Sequence, residues 1–163
     1  MNSVANSERA PAAETMLHVV ARVGEERFAF PVTDVEEVID APAIDWVPGA
    51  ASGLAGQLRY RDRTVSVFDG GWALGVPRAA VGGTALILRD GVRRLALMVD
   101  DVDDLTAFAL DAVHAVPAGT DFDGVLSGVW CAGAAQLVGL VNTETLLIRL
   151  TAIGASAIGD AQQ

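Results

Sequence analysis

Arginine side chains gather in one stretch of this sequence, residues 56–69, which reads Gly-Gln-Leu-Arg-Tyr-Arg-Asp-Arg-Thr-Val-Ser-Val-Phe-Asp. Three of the eleven basic residues, Arg59, Arg61 and Arg63, lie in it, although the formal net charge of the chain is -10. Apolar residues alternate on both sides of Asp62, a pattern that predicts a β-hairpin turning there. Because guanidinium groups pair with carboxylates through two hydrogen bonds, the hairpin is a candidate surface for contact with another protein. The alternative is three arginines that are only solvated.

Other side chains capable of chemistry are few, and none has the spacing of a catalytic or metal site. All eleven basic residues are arginine, and the absence of lysine excludes Schiff-base chemistry and the lysine of a phosphate-binding loop. His18 and His114 lie outside any metal-ligand spacing, and residues 121–124 depart from the calcium-loop pattern. The single cysteine, Cys131, is predicted to be a buried small hydrophobe. The sequence therefore predicts no catalytic residue, cofactor or metal, and its negative charge argues against binding nucleic acid.

An internal duplication organises the elements that must position these residues. Residues 24–38 align without a gap on residues 91–105 at a constant offset of 67 positions, and later segments repeat at offsets of 69, 72 and 73. In each copy, apolar runs pass through a turn that contains glycine, Gly24 or Gly91, and continue as short strands. About five strands per copy favour a mainly β fold of two small barrels over alternating strands and helices.

Short helices and two tails complete the predicted organisation. The acidic segments 34–37 and 101–104 are each predicted to form one helical turn, and residues 71–75 and 143–150 a short and a longer helix, the second capped by Asn142. The predicted domain spans residues 16–152, with repeat one at about 17–75, repeat two at about 84–148, a disordered N-terminal tail at 1–15 and a C-terminal tail at 153–163. The apolar runs are too short for a membrane-spanning helix.

Three motifs resemble signatures of the CheW family, the small adaptors of bacterial chemosensory arrays, and the resemblance covers residues 17–150. The most specific is the arginine stretch, Gly-Gln-Leu-Arg-Tyr-Arg-Asp at 56–62 followed by Ser-Val-Phe-Asp-Gly-Gly-Trp-Ala-Leu-Gly at 66–75. The others are Phe-Ala-Phe-Pro-Val at 28–32, and Leu-Met-Val-Asp at 97–100.

The resemblance implies two intertwined five-stranded barrels resembling SH3 domains, with no enzymatic activity. It implies a cytoplasmic adaptor, recruited to membrane-associated arrays, that couples the tips of chemoreceptors (methyl-accepting chemotaxis proteins) to the regulatory domain of a CheA-type histidine kinase, in chemotaxis or pilus-linked motility. Also by resemblance, Val35, Gly56 and Arg61 line or support the receptor groove between the barrels. Glu37 falls on the family's partner for this arginine, which predicts a salt bridge between Glu37 and Arg61.

The sequence departs from the family pattern inside the arginine hairpin. Arg59 stands where the family has Asn, Asp62 where it has Gly, and Ser66 where it has Pro. Arg59, Arg63 and Asp62 are therefore candidate residues for partner specificity. The alternative function is a regulatory module that senses a small molecule or a metal in the groove between the barrels.

Overall fold

The computed structural model describes residues 14–46, 53–77, 83–117, 119, 123–131 and 136–161. Nearly all of the predicted N-terminal tail and the last two residues of the predicted C-terminal tail lie outside this part. No helix in the described ranges is long and apolar enough to cross a membrane.

Strands dominate the structure, as the duplication predicts. The described part contains β1 Thr15–Val23, β2 Glu26–Pro31, β3 Val35–Asp40, β4 Asp45–Trp46, β5 Leu54–Tyr60, β6 Arg63–Asp69, β7 Thr84–Asp90, β8 Arg93–Val99, β9 Asp101–Ala109, β10 Val113–His114, β11 Leu126–Cys131 and β12 Leu137–Val141. Two helices, α1 Gly70–Leu74 and α2 Thr143–Ala161, follow β6 and β12, and two short 3-10 helices cover Val32–Asp34 and Leu110–Ala112.

The two copies exchange strands. One sheet has the order β10-β11-β12-β2-β1-β9 and the other the order β4-β5-β6-β8-β7-β3. Strands β1–β6 of the first copy correspond in order to strands β7–β12 of the second copy. With this correspondence the two sheets have the same strand order, and each sheet takes two strands from one copy and four from the other. In each sheet, one pair of strands from different copies is parallel, β12 with β2 and β6 with β8. The two pairs are equivalent, because Leu140 pairs with Ala29 in one sheet and Val67 with Ala96 in the other. The intertwined arrangement is confirmed, with six strands per sheet rather than five because the two-residue β4 and β10 pair at the edges.

A shared apolar core joins the two copies. It contains fully buried residues from both, among them Phe30, Phe68 and Leu97. Helix α2 contacts β7 and β8 and contributes side chains to this core, namely Leu146, Leu147 and Leu150. Burying such side chains is the main source of stability in a fold of this kind, so neither copy has a complete core of its own.

Both predicted helices form, and the predicted caps at Gly75 and Asn142 are present. The Asp69 carboxylate accepts a hydrogen bond from the Trp72 backbone N–H at 2.9 Å, and α1 ends at Gly75, whose φ is 74°. At the start of α2, the Asn142 Oδ1 accepts from the Thr145 N–H at 3.1 Å. The helix runs to Ala161 and so continues through residues 153–161, which were expected to be a tail.

Three local predictions are wrong. Residues 101–104 belong to strand β9, and in the first copy only Val32–Asp34 is helical before β3 begins at Val35. Antiparallel pairing with β1 and β7 supplies backbone hydrogen bonds that outweigh the local three-residue spacing of apolar side chains. Cys131 is exposed rather than buried, since it is the last residue of β11 and neighbours Trp130, which packs on Phe108.

Candidate functional site

The arginine hairpin consists of β5 and β6 joined by a two-residue turn. Tyr60 pairs with Arg63 across the strands, so Arg61 and Asp62 form the turn. Both turn residues have positive φ, 45° and 62°. This turn geometry matches the twist of the strands but favours pairs such as Asn-Gly, because a residue with a side chain costs about 1–2 kcal/mol there. The hairpin therefore holds Arg61 in a backbone conformation that its side chain does not favour.

Glu36 is the carboxylate at the centre of the site. It accepts two hydrogen bonds from Arg94, at 2.5 Å from Nε to Oε2 and 3.1 Å from Nη2 to Oε1. Arg61 Nη1 lies 4.0 Å from the same Oε1. Only 14% of the Glu36 side chain and 23% of the Arg94 side chain are exposed, so the paired charges are little screened by water. A bidentate pair of this kind fixes the orientation of both side chains.

The ion pair predicted between Glu37 and Arg61 is not the one in the structure, since the carboxylate at salt-bridge distance from Arg61 is that of Glu36. The pairing of β3 with β7 shifts register between Val35 and Glu37. Such a bulge adds one residue to a strand and redirects the side chains next to it. Glu36 is the extra residue here, and its side chain turns toward the arginines. A bulge cannot be read from the spacing of charged residues.

Tyr60 lies beneath Arg61 and adds a buried phenol to the site. The residue is 5% exposed, and the Arg61 guanidinium carbon lies 5.2 Å from the ring centroid, within the range of a cation–π contact. Burial raises the pKa of Tyr60 above 10.0, the Glu36 carboxylate raises it further, and Arg61 opposes the shift. The charge of Glu37 also raises this pKa. Among the described residues, no side chain or backbone group is aligned for a hydrogen bond with the buried phenol oxygen. The phenol is therefore neutral at physiological pH.

Val35 and Gly56 occupy opposite ends of this part of the sheet. Val35 is half-buried, begins β3 beside Glu36 and packs against the shared core. Gly56 lies in β5 four residues before Tyr60, about 13 Å along the strand. A Cβ atom on Gly56 would lie 2.4 Å from the Asp45 carbonyl oxygen, so only glycine allows β4 to approach so closely. The structure thus connects Arg61 with the Val35 end of β3 through Glu36, while Gly56 shapes the other end of the hairpin.

The other copy repeats the central ion pair in a weaker form. Arg27 and Asp103 stand 67 positions from Arg94 and Glu36, and their Nε and Oδ2 atoms are 3.2 Å apart. The pair is not aligned as a hydrogen bond, since the buried Arg27 Nε has no hydrogen-bond partner in the described part of the chain. Its side chains are also more exposed, at 32% and 40%. In both cases an arginine of one copy reaches a carboxylate of the other. The repeat offset alone would have related the two pairs, but sequence reasoning missed Arg94 and Glu36.

The candidate specificity residues are displayed at the surface. Arg59, Asp62 and Arg63 are all exposed. Among the residues that the structure describes, neither Arg59 nor Arg63 forms an ion pair. Their guanidinium groups are therefore available to an external carboxylate.

Two open cavities flank the sheets. One of about 470 Å³ is lined by residues of the β1–β2 hairpin together with Gln136 and Leu137. The other, of about 360 Å³, lies between the start of α2 and the β7–β8 hairpin and includes Asp34, Asp90 and Glu144. Within the described ranges, no group of three or more His, Cys, Asp or Glu side chains is arranged to hold a metal ion.

The two exchanged sheets and the arginine-bearing hairpin define a duplicated β-barrel module. The model of the CheW-like domain family matches residues 18–150. The chain therefore belongs to the CheW-like family, and this membership supports a general role as a chemotaxis scaffold or adaptor.

The fold is similar to that of a solved scaffold protein. The crystal structure of the scaffolding protein TtCheW from Thermoanaerobacter tengcongensis has 18% sequence identity and a TM-score of 0.72, with 82% of this chain and 92% of that chain covered. At this identity the likeness concerns the fold. No curated protein matches the sequence significantly.

Proposed function

We propose that this protein is a non-enzymatic adaptor that couples chemoreceptor tips to a CheA-type histidine kinase. The observation that carries the proposal is the family match, which runs from β1 into α2 and so includes both sheets and the join between the copies. An adaptor needs separate surfaces for its partners, and two pseudo-equivalent sheets with different side chains offer them. The proposed location is the cytoplasm, at arrays assembled on membrane receptors.

In this proposal, Val35, Gly56 and Arg61 line or support the receptor groove. The geometry suggests a different task for each residue. Val35 offers a half-buried apolar side chain, Gly56 lets β4 lie close to β5, and Arg61 is oriented by Glu36 and the ring of Tyr60. Arg61 is then a positioning residue as much as a contact residue, because its charge lies against a carboxylate that Arg94 already holds.

We assign the partner-specific contacts to hairpin residues that form no ion pair within the described part of the chain. Arg59 and Arg63 are exposed and unpaired among the described residues, and Asp62 sits at the turn. Replacing such a residue should change binding while leaving the fold intact.

Binding of the purified protein to two partners from its own genome tests this function. The partners are the regulatory domain of a CheA-type kinase and a cytoplasmic receptor fragment, and the readouts are the dissociation constants and the receptor-dependent kinase activity. We expect binding to both. Arg61→Ala should weaken receptor binding and lower stability modestly, whereas Arg63→Ala should weaken binding alone. Absence of binding to every such partner would refute the adaptor function.

A further inference from the structure

Two hairpin tips, one from each copy, lie side by side at one end of the second sheet. Strands β6 and β8 are parallel, with Val67 beside Ala96. The two hairpin tips lie at the same end of these parallel strands, and Arg61 of one hairpin and Arg94 of the other both reach Glu36. The turn at Arg61 and Asp62 is thus next to the turn between β7 and β8. We call residues 59–63 and 89–94 together the arginine platform.

The platform has the opposite charge to the rest of the molecule. It contains six arginines and two aspartates, a formal net charge of +4, in a chain whose total is -10. The remaining residues therefore carry a formal charge of -14. The six arginines, more than half of all those in the chain, are Arg59, Arg61, Arg63, Arg89, Arg93 and Arg94.

Internal partners neutralise only part of this charge. Arg94 is paired with Glu36, and Arg93 with Asp90 at 3.1 Å. In contrast, Arg59, Arg63 and Arg89 have no ion pair within the described part of the chain. Arg89 also stands directly opposite Arg94 in the β7–β8 pair, and like charges at opposed positions are destabilising. The fold therefore gathers positive charges and compensates only some of them.

An apolar side chain lies among these charges. Val92 is 97% exposed at the tip of the β7–β8 hairpin. An isolated exposed valine is common on protein surfaces, but this one lies at the tip of the hairpin that carries Arg89, Arg93 and Arg94, where a partner that bound these arginines would cover it.

We propose that the arginine platform docks an acidic surface of a partner protein, with Val92 at the centre of the contact. The inference rests on the proposed function, because the partner is another component of the same signalling complex. Charge complementarity selects an acidic protein over an anionic membrane. An extended anionic surface would repel the remaining charge of -14, whereas a patch the size of the platform meets only the arginines.

The equivalent end of the first sheet supplies a matched control. By the 67-residue offset, Glu25 and Glu26 occupy the positions of Val92 and Arg93, and Arg22 that of Arg89. Over residues 22–27 the charges of Glu25 and Glu26 balance those of Arg22 and Arg27, so that end lacks the excess positive charge of the platform. Arg22→Glu and Arg89→Glu change the net charge equally at equivalent places.

The experiment measures association rates of the full chain with the kinase regulatory domain and with the receptor fragment, at low and at physiological salt. The variants are Arg63→Glu, Arg89→Glu, the double variant and Arg22→Glu, each checked for native melting temperature. For at least one partner, we expect the double variant to associate on the order of tenfold more slowly at low salt, with a smaller difference at physiological salt. Arg22→Glu should stay within about twofold of the natural protein.

The outcomes separate this inference from the proposed function. If the natural protein binds but Arg89→Glu and Arg22→Glu behave alike, the platform has no docking role and the adaptor function stands. If the natural protein binds neither partner, the adaptor function fails and this docking role fails with it. Tighter binding to vesicles of anionic phospholipid than to either protein would overturn the choice of a protein partner.

Discussion

Neutralising Glu36 removes the charge that orients both Arg94 and Arg61. Glu36→Gln keeps the size of the side chain but removes its negative charge and leaves Arg94 a single amide oxygen to donate to, in place of the two carboxylate oxygens. Hydrogen bonds to charged groups contribute about 1.5–3 kcal/mol each, and the amide recovers part of this. We expect the free energy of unfolding to fall by about 2 kcal/mol.

Two matched variants make this expectation specific. Asp103→Asn neutralises the equivalent pair in the other copy, which is more exposed and lacks hydrogen-bond alignment, so its effect should be at most about 1 kcal/mol. Glu37→Gln neutralises the residue that family resemblance pairs with Arg61. It should have a still smaller effect on stability, since Glu37 is exposed.

Urea denaturation measures the three free energies, and an unchanged dependence on denaturant shows that only stability has changed. For a domain of this size, a loss of about 2 kcal/mol corresponds to a fall in melting temperature of about 4–8 °C. An effect of Glu37→Gln as large as that of Glu36→Gln would refute the assignment of the central carboxylate. Equal effects of Asp103→Asn and Glu36→Gln would refute the argument from burial.

Three further predictions concern the hairpin. Asp62→Gly should raise the free energy of unfolding by about 1 kcal/mol in urea denaturation, because glycine adopts the positive φ without strain; a loss of stability would contradict this. Gly56→Ala should destabilise the protein by about 1–3 kcal/mol, because the new methyl group meets a backbone carbonyl. Gly128→Ala, at the repeat position, should destabilise it less, because the methyl group there meets a side chain that can move. The raised pKa of Tyr60 means that the folded state keeps its proton where the unfolded state loses it, so stability is fully present below pH 10.0 and falls above it. Tyr60 is the only tyrosine, so tyrosinate absorbance follows it alone; equal titration of native and unfolded protein would contradict the shift, and Tyr60→Phe should reduce the alkaline loss of stability.

Much of the fold could be predicted because the duplication is visible in local patterns of the sequence. Alternating apolar residues and glycine-bearing turns predicted the strands, and the constant offset predicted two equivalent copies. The hairpin at residues 56–69, the caps at Asn142 and Gly75, and the exposure of Arg59 and Arg63 follow from the same local signals.

The site was only partly predictable. Arg61 was identified from its motif, but its carboxylate partner was assigned to Glu37, one residue from the correct Glu36. A single inserted residue in β3 reverses which carboxylate faces the arginines, and that insertion depends on the pairing with β7. Arg94 was missed because it comes from the other copy and reaches Glu36 only after the strands are exchanged.

The sequence by itself determined that the chain is a duplicated β protein with an arginine-rich hairpin at residues 56–69 whose counterpart in the other copy has no arginine, because strand periodicity, turn residues and repeat offsets are local properties. Only the tertiary structure decided how the copies intertwine, which carboxylate holds Arg61, and that the β5–β6 and β7–β8 tips form one basic surface. The physical reason is that register and strand order are set by burial of a core shared between the copies. That core brings together residues far apart in the chain, and no local pattern records their proximity.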